Sequence, residues 1–148
     1  MSLALGKKVR APLYDEVHLL SIDVVNASAD GDTKKEWKAY NKLRELCISN
    51  ESTKNDHPLQ WEALADFTSS SDQAIVIYQK ALLCSDALGL TEYSASIKLE
   101  IARRLYESDK IKPALNLAHE ADELARDTDN LELRKEISEF ILSPSDNT

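Results

Sequence analysis

Between Leu13 and Leu142 the apolar and small side chains of this chain recur every three or four residues, in about seven stretches parted by short polar breaks. That interval is the 3.6-residue turn of an α-helix, and it leaves no room for the alternation of a strand. The first stretch, Leu13 to Ser28, sets Leu13, Val17, Leu20 and Val24 on one stripe. Ala29-Asp30-Gly31-Asp32 breaks it, and Asp32 or Thr33 can cap the second stretch, which places Trp37, Tyr40, Leu43 and Cys47 in line up to Ser49. After the polar loop 50–56, Pro58 falls where a helix tolerates it, in the first turn of a third stretch with Trp61, Leu64, Ala65 and Thr68 on one face.

Ser69-Ser70-Ser71-Asp72 opens the fourth stretch, with Ala74, Tyr78, Ala81 and Leu82, and Gly89 is its natural left-handed stop. Thr91 is the expected cap of the fifth, whose stripe is Ile97, Ile101, Ala102 and Leu105. Pro113 starts the sixth, which bears Ala114, Ala118, Ala121 and Ala125 with Leu117 and Leu124 beside them. The seventh runs from Leu131 to Leu142, where Ser143-Pro144 ends it. Only three Gly and four Pro occur among 148 residues, too few for an architecture of many tight β-turns. The fold class read from the sequence is all-α.

Composition narrows function as well. With 26 acidic against 18 basic side chains the net charge is −8, which disfavours nucleic acid, a polyphosphate ligand or an anionic membrane as partner. No apolar run approaches the ~20 residues of a membrane span. In the N-terminal arm, residues 1–12, Leu3-Ala4-Leu5 precedes Lys7, Lys8 and Arg10, the reverse of a secretory signal, so the arm reads as flexible and basic. Cys47 and Cys84 sit in apolar helical contexts and read as buried, reduced thiols. A cytoplasmic protein is the expectation.

A shift of 40 residues superposes Ala74 on Ala114, Ala81 on Ala121, Ile97 on Ile137 and Ile101 on Ile141. Alanines at this phase let two helices approach closely while bulky residues of the preceding helix fill the groove. Ala74-x-x-x-Tyr78-x-x-Ala81 and Ala114-x-x-x-Ala118-x-x-Ala121 follow Trp61-x-x-Leu64-Ala65-x-x-Thr68 and Lys98-x-x-Ile101-Ala102-x-x-Leu105. This succession resembles the tetratricopeptide repeat family, with Thr68, Lys98 and Ala118 at positions the family fills with larger or apolar groups. The period also exceeds the family's usual one. The resemblance covers residues 57–127. It implies a right-handed superhelix of antiparallel helix pairs over 13–142, in one domain. Within it, 13–50 is a degenerate or unrelated hairpin and 130–142 a capping helix, with 143–148 a polar tail.

The resemblance further implies that the first helices of the pairs line a concave groove for a protein or peptide segment. The residues that would face it are Glu62, Asp66, Ser96, Leu99, Arg103 and Tyr106. Repeats that grip a terminal carboxylate need Lys and Asn there, so Glu62 and Asp66 point instead to a basic or amphipathic segment. His119 and Glu123 lie one turn apart without a third ligand, and His18 and His57 stand alone, so no metal or other cofactor is expected. No phosphate-binding glycine loop, H-E-x-x-H or G-x-S-x-G is present. The function expected is therefore non-enzymatic protein binding, as an adaptor, a chaperone or an inhibitor neutralising a basic protein. The alternatives are a small-molecule or peptide sensor with a pocket between the helical halves, and a self-associating scaffold.

Overall fold

The computed structural model describes residues 10–143, and the arm up to residue 9 and the tail from 144 lie outside them. Among the described residues the chain forms seven α-helices and no strand: α1 Tyr14–Ala29, α2 Thr33–Asn50, α3 Pro58–Asp66, α4 Ser71–Leu88, α5 Thr91–Glu107, α6 Ile111–Ala125 and α7 Leu131–Ile141. The all-α reading and the number of helices agree with this. The helices fall into two compact units, one up to Phe67 and one from Thr68 onward. The boundary separates α3 from α4, inside the stretch 57–127 that resembles two repeats.

Three helical turns close in one way. The backbone N–H of Asp32, Leu90 and Lys110 each returns to the carbonyl five residues earlier, on Ala27, Ser85 and Leu105, at 2.9–3.0 Å. That bond needs one left-handed residue just past the helix end. Gly31 (φ 71°) and Gly89 (φ 68°) supply it without a Cβ, and Asp109 (φ 65°) supplies it as one of the few side chains that tolerate the region. Side chains cap the starts of four helices. Asp32 accepts from Lys35 N–H at 3.1 Å, Ser70 from Gln73 N–H at 3.3 Å, and Asn130 from Leu133 N–H at 2.9 Å. The fourth cap, on α3, is His57. Thr91, expected as a cap, is instead the first residue of α5, and Leu90 occupies the cap position without a side-chain bond.

In the first unit α1 packs on α2, and α3 closes against both. Val17, Val24 and Ala27 of α1, Ala39, Leu43 and Cys47 of α2, and Trp61, Leu64 and Ala65 of α3 are buried. Trp37, expected on the buried stripe of α2, is 69% exposed. The buried line runs Ala39-Leu43-Cys47, and two helical steps from Ala39 carry Trp37 to the opposite side.

The α2–α3 loop is organised by Asp56, whose two carboxylate oxygens accept Ser52 N–H at 2.8 Å and the Trp61 indole N–H at 2.7 Å. Next to it, His57 Nδ1 accepts Leu59 N–H at 3.1 Å, which requires a neutral ring. Burial holds the His57 pKa below the ordinary 6.5, against the opposing pull of the Asp56 charge. A group whose pKa is lower folded than unfolded binds fewer protons in the fold. Its contribution is therefore complete above pH 6.5 and is lost as pH falls toward the lower folded value. Thermal unfolding near pH 7.5 and pH 5 tests this through His57→Asn, which keeps a capping oxygen. The variant is expected to lose less stability on acidification than the parent, the gap reflecting a cap worth about 0.5–2 kcal/mol. Equal losses would contradict the assignment.

Cys47 is fully buried and its thiol donates to Gln60 O at 3.2 Å. Burial, helped by the Asp56 charge, pushes its pKa up to about 12, so the reactive thiolate is absent near neutrality. Cys84 is only half-buried, a departure from the expectation of two buried thiols. A thiol reagent near pH 7 should label Cys84 in the native protein and reach Cys47 only in denaturant; labelling of both in the native state would contradict this.

In the second unit α4 packs on α5, α5 on α6 and α6 on α7. The alanine ladder stands at the centre: Ala74, Ala81, Ala114, Ala118, Ala121 and Ala125 are all 0% exposed. One core cluster joins Ala95 and Leu99 of α5 to Ala121 and Ala125 of α6 and to Leu133 and Ile137 of α7. A second joins Ala102 to Ala114 and Ala118, with Leu105, Tyr106 and Phe140 packed against it. The α4–α5 turn is tied by hydroxyls: Ser85 Oγ donates to Leu90 O at 2.8 Å and lies 2.7 Å from Ser94 Oγ, which donates to Asp86 at 2.7 Å.

Candidate interaction surface

The residues expected to line a groove belong to two different units. Glu62 and Asp66 belong to α3 in the first unit, half-buried and exposed respectively, each with an interaction partner. Ser96, Leu99, Arg103 and Tyr106 belong to α5 in the second. Leu99 is a correction: it is 1% exposed, inside the core cluster with Ala121 and Ile137. The cause is that α5 is buried on two faces. Besides the stripe Ile97-Ile101 it buries Ala95, Leu99 and Ala102, because α4, on one hand, and α6 on the other both pack against it.

Arg103 and Tyr106 continue that second face toward α7. The Arg103 guanidinium pairs with Glu100 at 2.7 Å and Glu136 at 3.3 Å. The Tyr106 ring meets Phe140 edge-on at 5.7 Å between centroids. Both side chains are thus committed to holding α7. Ser96 is half-buried with a partner of its own.

An exposed line of apolar side chains lies on α1. Leu19, Ile22 and Val25 are 63%, 41% and 54% exposed, three residues apart, on the side of α1 away from Val17 and Val24. This helix is apolar on two faces while only one meets a neighbour. Leu19 also opens a groove of about 480 Å³ between α1 and α2, floored by Leu20 and Leu46 and rimmed by Glu16, Glu45 and Lys42. The sequence held the signal, since Leu19-x-x-Ile22-x-x-Val25 falls outside the stripe Leu13-Val17-Leu20-Val24.

A second cleft between the same helices, about 450 Å³, differs in chemistry. Lys35, Lys38 and Lys42 of α2 face Asp23, Asn26 and Asp30 of α1. Among the described residues, no group of three or more His, Cys, Asp or Glu side chains converges to hold a metal ion, and no helix is long and apolar enough to cross a membrane. No protein family, curated protein or solved structure matches the chain.

Proposed function

We propose that this protein is a non-enzymatic binding module that takes an amphipathic segment of a partner protein on the α1–α2 surface. The observation behind the reading is the exposed line Leu19-Ile22-Val25, continuous through Leu19 with an apolar groove. Exposed apolar surface costs solubility, and a contiguous patch edged by polar groups is the usual mark of a docking site. The charged side chains of α1 are Asp15, Glu16 and Asp23, all acidic, and Lys42 joins Glu16 and Glu45 at the groove rim, so a segment with apolar anchors at helical spacing and Lys or Arg on the flank that meets α1 complements it. Adaptor, chaperone and neutralising inhibitor are the roles open to such a module.

The tetratricopeptide resemblance, which covers residues 57–127, implies protein binding as the class of function, and its motif alanines are buried. Affinity capture from cells tests the function with Ile22→Glu as control. A partner retained by the parent and lost by the variant is the expected result; identical captured sets would overturn the reading.

The cleft in which Lys35, Lys38 and Lys42 face Asp23 and Asp30 favours a second reading, a sensor of a small molecule that carries both a negative and a positive group. Stabilisation of the parent by such a ligand, absent in Lys38→Ala, would support it, because a ligand of the native state raises stability by mass action.

A further inference from the structure

The chain itself contains a segment with the chemistry that the α1–α2 groove calls for. In residues 1–9, which lie outside the described residues, Leu3 and Leu5 are followed by Lys7 and Lys8, and no acid precedes Asp15. The groove offers the complement: a floor of Leu19, Leu20 and Leu46, with Glu16 on the α1 wall and Glu45 on the α2 wall. Among the described residues neither carboxylate has an ion-pair partner.

The arm also enters at the right place. Tyr14 N–H donates to Ala11 O at 3.1 Å in the turn that leads into α1. Arg10 lies back against the helix, its guanidinium 3.2 Å from Asp15 and 4.6 Å from the centre of the Tyr14 ring. Asp15 stands one helical turn before Leu19, on the same side of α1. The chain from Arg10 back to Leu5 can span up to about 17 Å, and Leu19 and Leu20 lie only about 8–9 Å along the helix from Tyr14.

Direction decides the charges. Because the chain is held at Arg10, Lys8 and Lys7 come to the groove before Leu5 and Leu3. From that end α1 presents Glu16 ahead of Leu19 and Leu20, and the antiparallel α2 presents Ser49, Leu46 and Glu45 ahead of Lys42. The arm's lysines therefore meet the two acids first, and Lys42 lies farther in, where its apolar stem borders the leucines.

We propose that residues 1–9 fold back into the α1–α2 groove of their own chain, with Leu3 and Leu5 on Leu19, Leu20 and Leu46 and with Lys7 and Lys8 beside Glu16 and Glu45. The inference rests on the reading of this groove as a docking surface and adds its regulation: the arm holds the place of the partner segment, which has to displace it. A tether this short gives an effective concentration of the order of millimolar, which a second copy at micromolar concentration does not match.

The test places a nitroxide spin label on Ser2→Cys of the full chain in a Cys84→Ser background, Cys47 being buried. Backbone amide signals of α1 and α2 are read by NMR. Those of Leu19, Leu20 and Leu46 are expected to be lost through proximity to the label. They should return when Leu3→Ser and Leu5→Ser are added, with the helical circular dichroism unchanged. Glu16→Lys with Glu45→Lys should likewise bring them back, and Lys7→Glu with Lys8→Glu on top should remove them again. A synthetic peptide of residues 1–10 should bind the Leu3→Ser/Leu5→Ser chain roughly tenfold more tightly than the parent, the factor for a groove that its own arm fills about nine-tenths of the time. Equal signal loss with and without the two leucines, or equal peptide affinities, would mean a merely tethered arm and overturn the proposal. So would loss of the groove signals in an isotope-enriched, unlabelled copy mixed with spin-labelled chain, which would put the arm on a second copy. None of these readouts involves a partner protein, so they and the capture experiment can fail separately.

Discussion

Leu99→Ala is expected to lower the unfolding free energy by about 2–5 kcal/mol, the range for a buried leucine truncated in a packed core. The upper part of that range is expected because the residues around Leu99 are mostly unable to collapse into the space. Ala95, Ala121 and Ala125 have no side chain beyond Cβ to move in, and Ile137 is itself fully buried. Were Leu99 on an open groove, as the repeat resemblance implies, the same truncation would stay within about 0.5 kcal/mol. Urea unfolding followed by circular dichroism separates these placements. A loss below about 1 kcal/mol would contradict the buried face of α5.

The second large effect comes from adding volume. Ala121 is 0% exposed between the α5 residues Ala95 and Leu99 and the α7 residues Leu133 and Ile137. Three extra carbons have nowhere to go unless helices separate, so Ala121→Leu is expected to destabilise by about 1–3 kcal/mol. Glu123→Leu, exposed on the same helix, is the control and should change stability by no more than about 0.5 kcal/mol. Equal midpoints for Ala121→Leu and the parent would mean that the faces of α6 are wrongly assigned. Ala81→Leu is the parallel experiment on α4, where the site is equally closed.

These two residues mark what the sequence could and could not reveal. The position of Ala121 was legible because α6 is amphipathic in the simple sense, with Ala114, Ala118, Ala121 and Ala125 on one line and polar residues opposite. Helix ends were legible for a similar reason, since Asp32, Ser70, Gly31 and Gly89 act through local backbone chemistry that no distant contact alters. Leu99 was not legible. Periodicity reports that a face is apolar but not how many neighbours a helix has, and α5 buries two faces.

The same gap explains α1 and Trp37. A helix with two apolar faces can be central or can leave one face for a partner, and the spacing of Leu19, Ile22 and Val25 is identical in both cases. Trp37 fits a helical stripe with Tyr40 on paper, yet the smaller Ala39 and Leu43 define the side that meets the core. Of the residues expected at a groove, Arg103 and Tyr106 turned out to be tied to Glu136 and Phe140. That contact links α5 to a helix more than 20 residues onward, which local spacing has no means to report.

The most direct test of the binding role is selection of peptides from a random displayed library on the immobilised protein, with Ile22→Glu as the parallel target. The account predicts enriched sequences with apolar residues three or four apart and Lys or Arg beside them, which bind the parent and not the variant. Failure to enrich any sequence, or enriched peptides that bind Ile22→Glu as well as the parent, would contradict it.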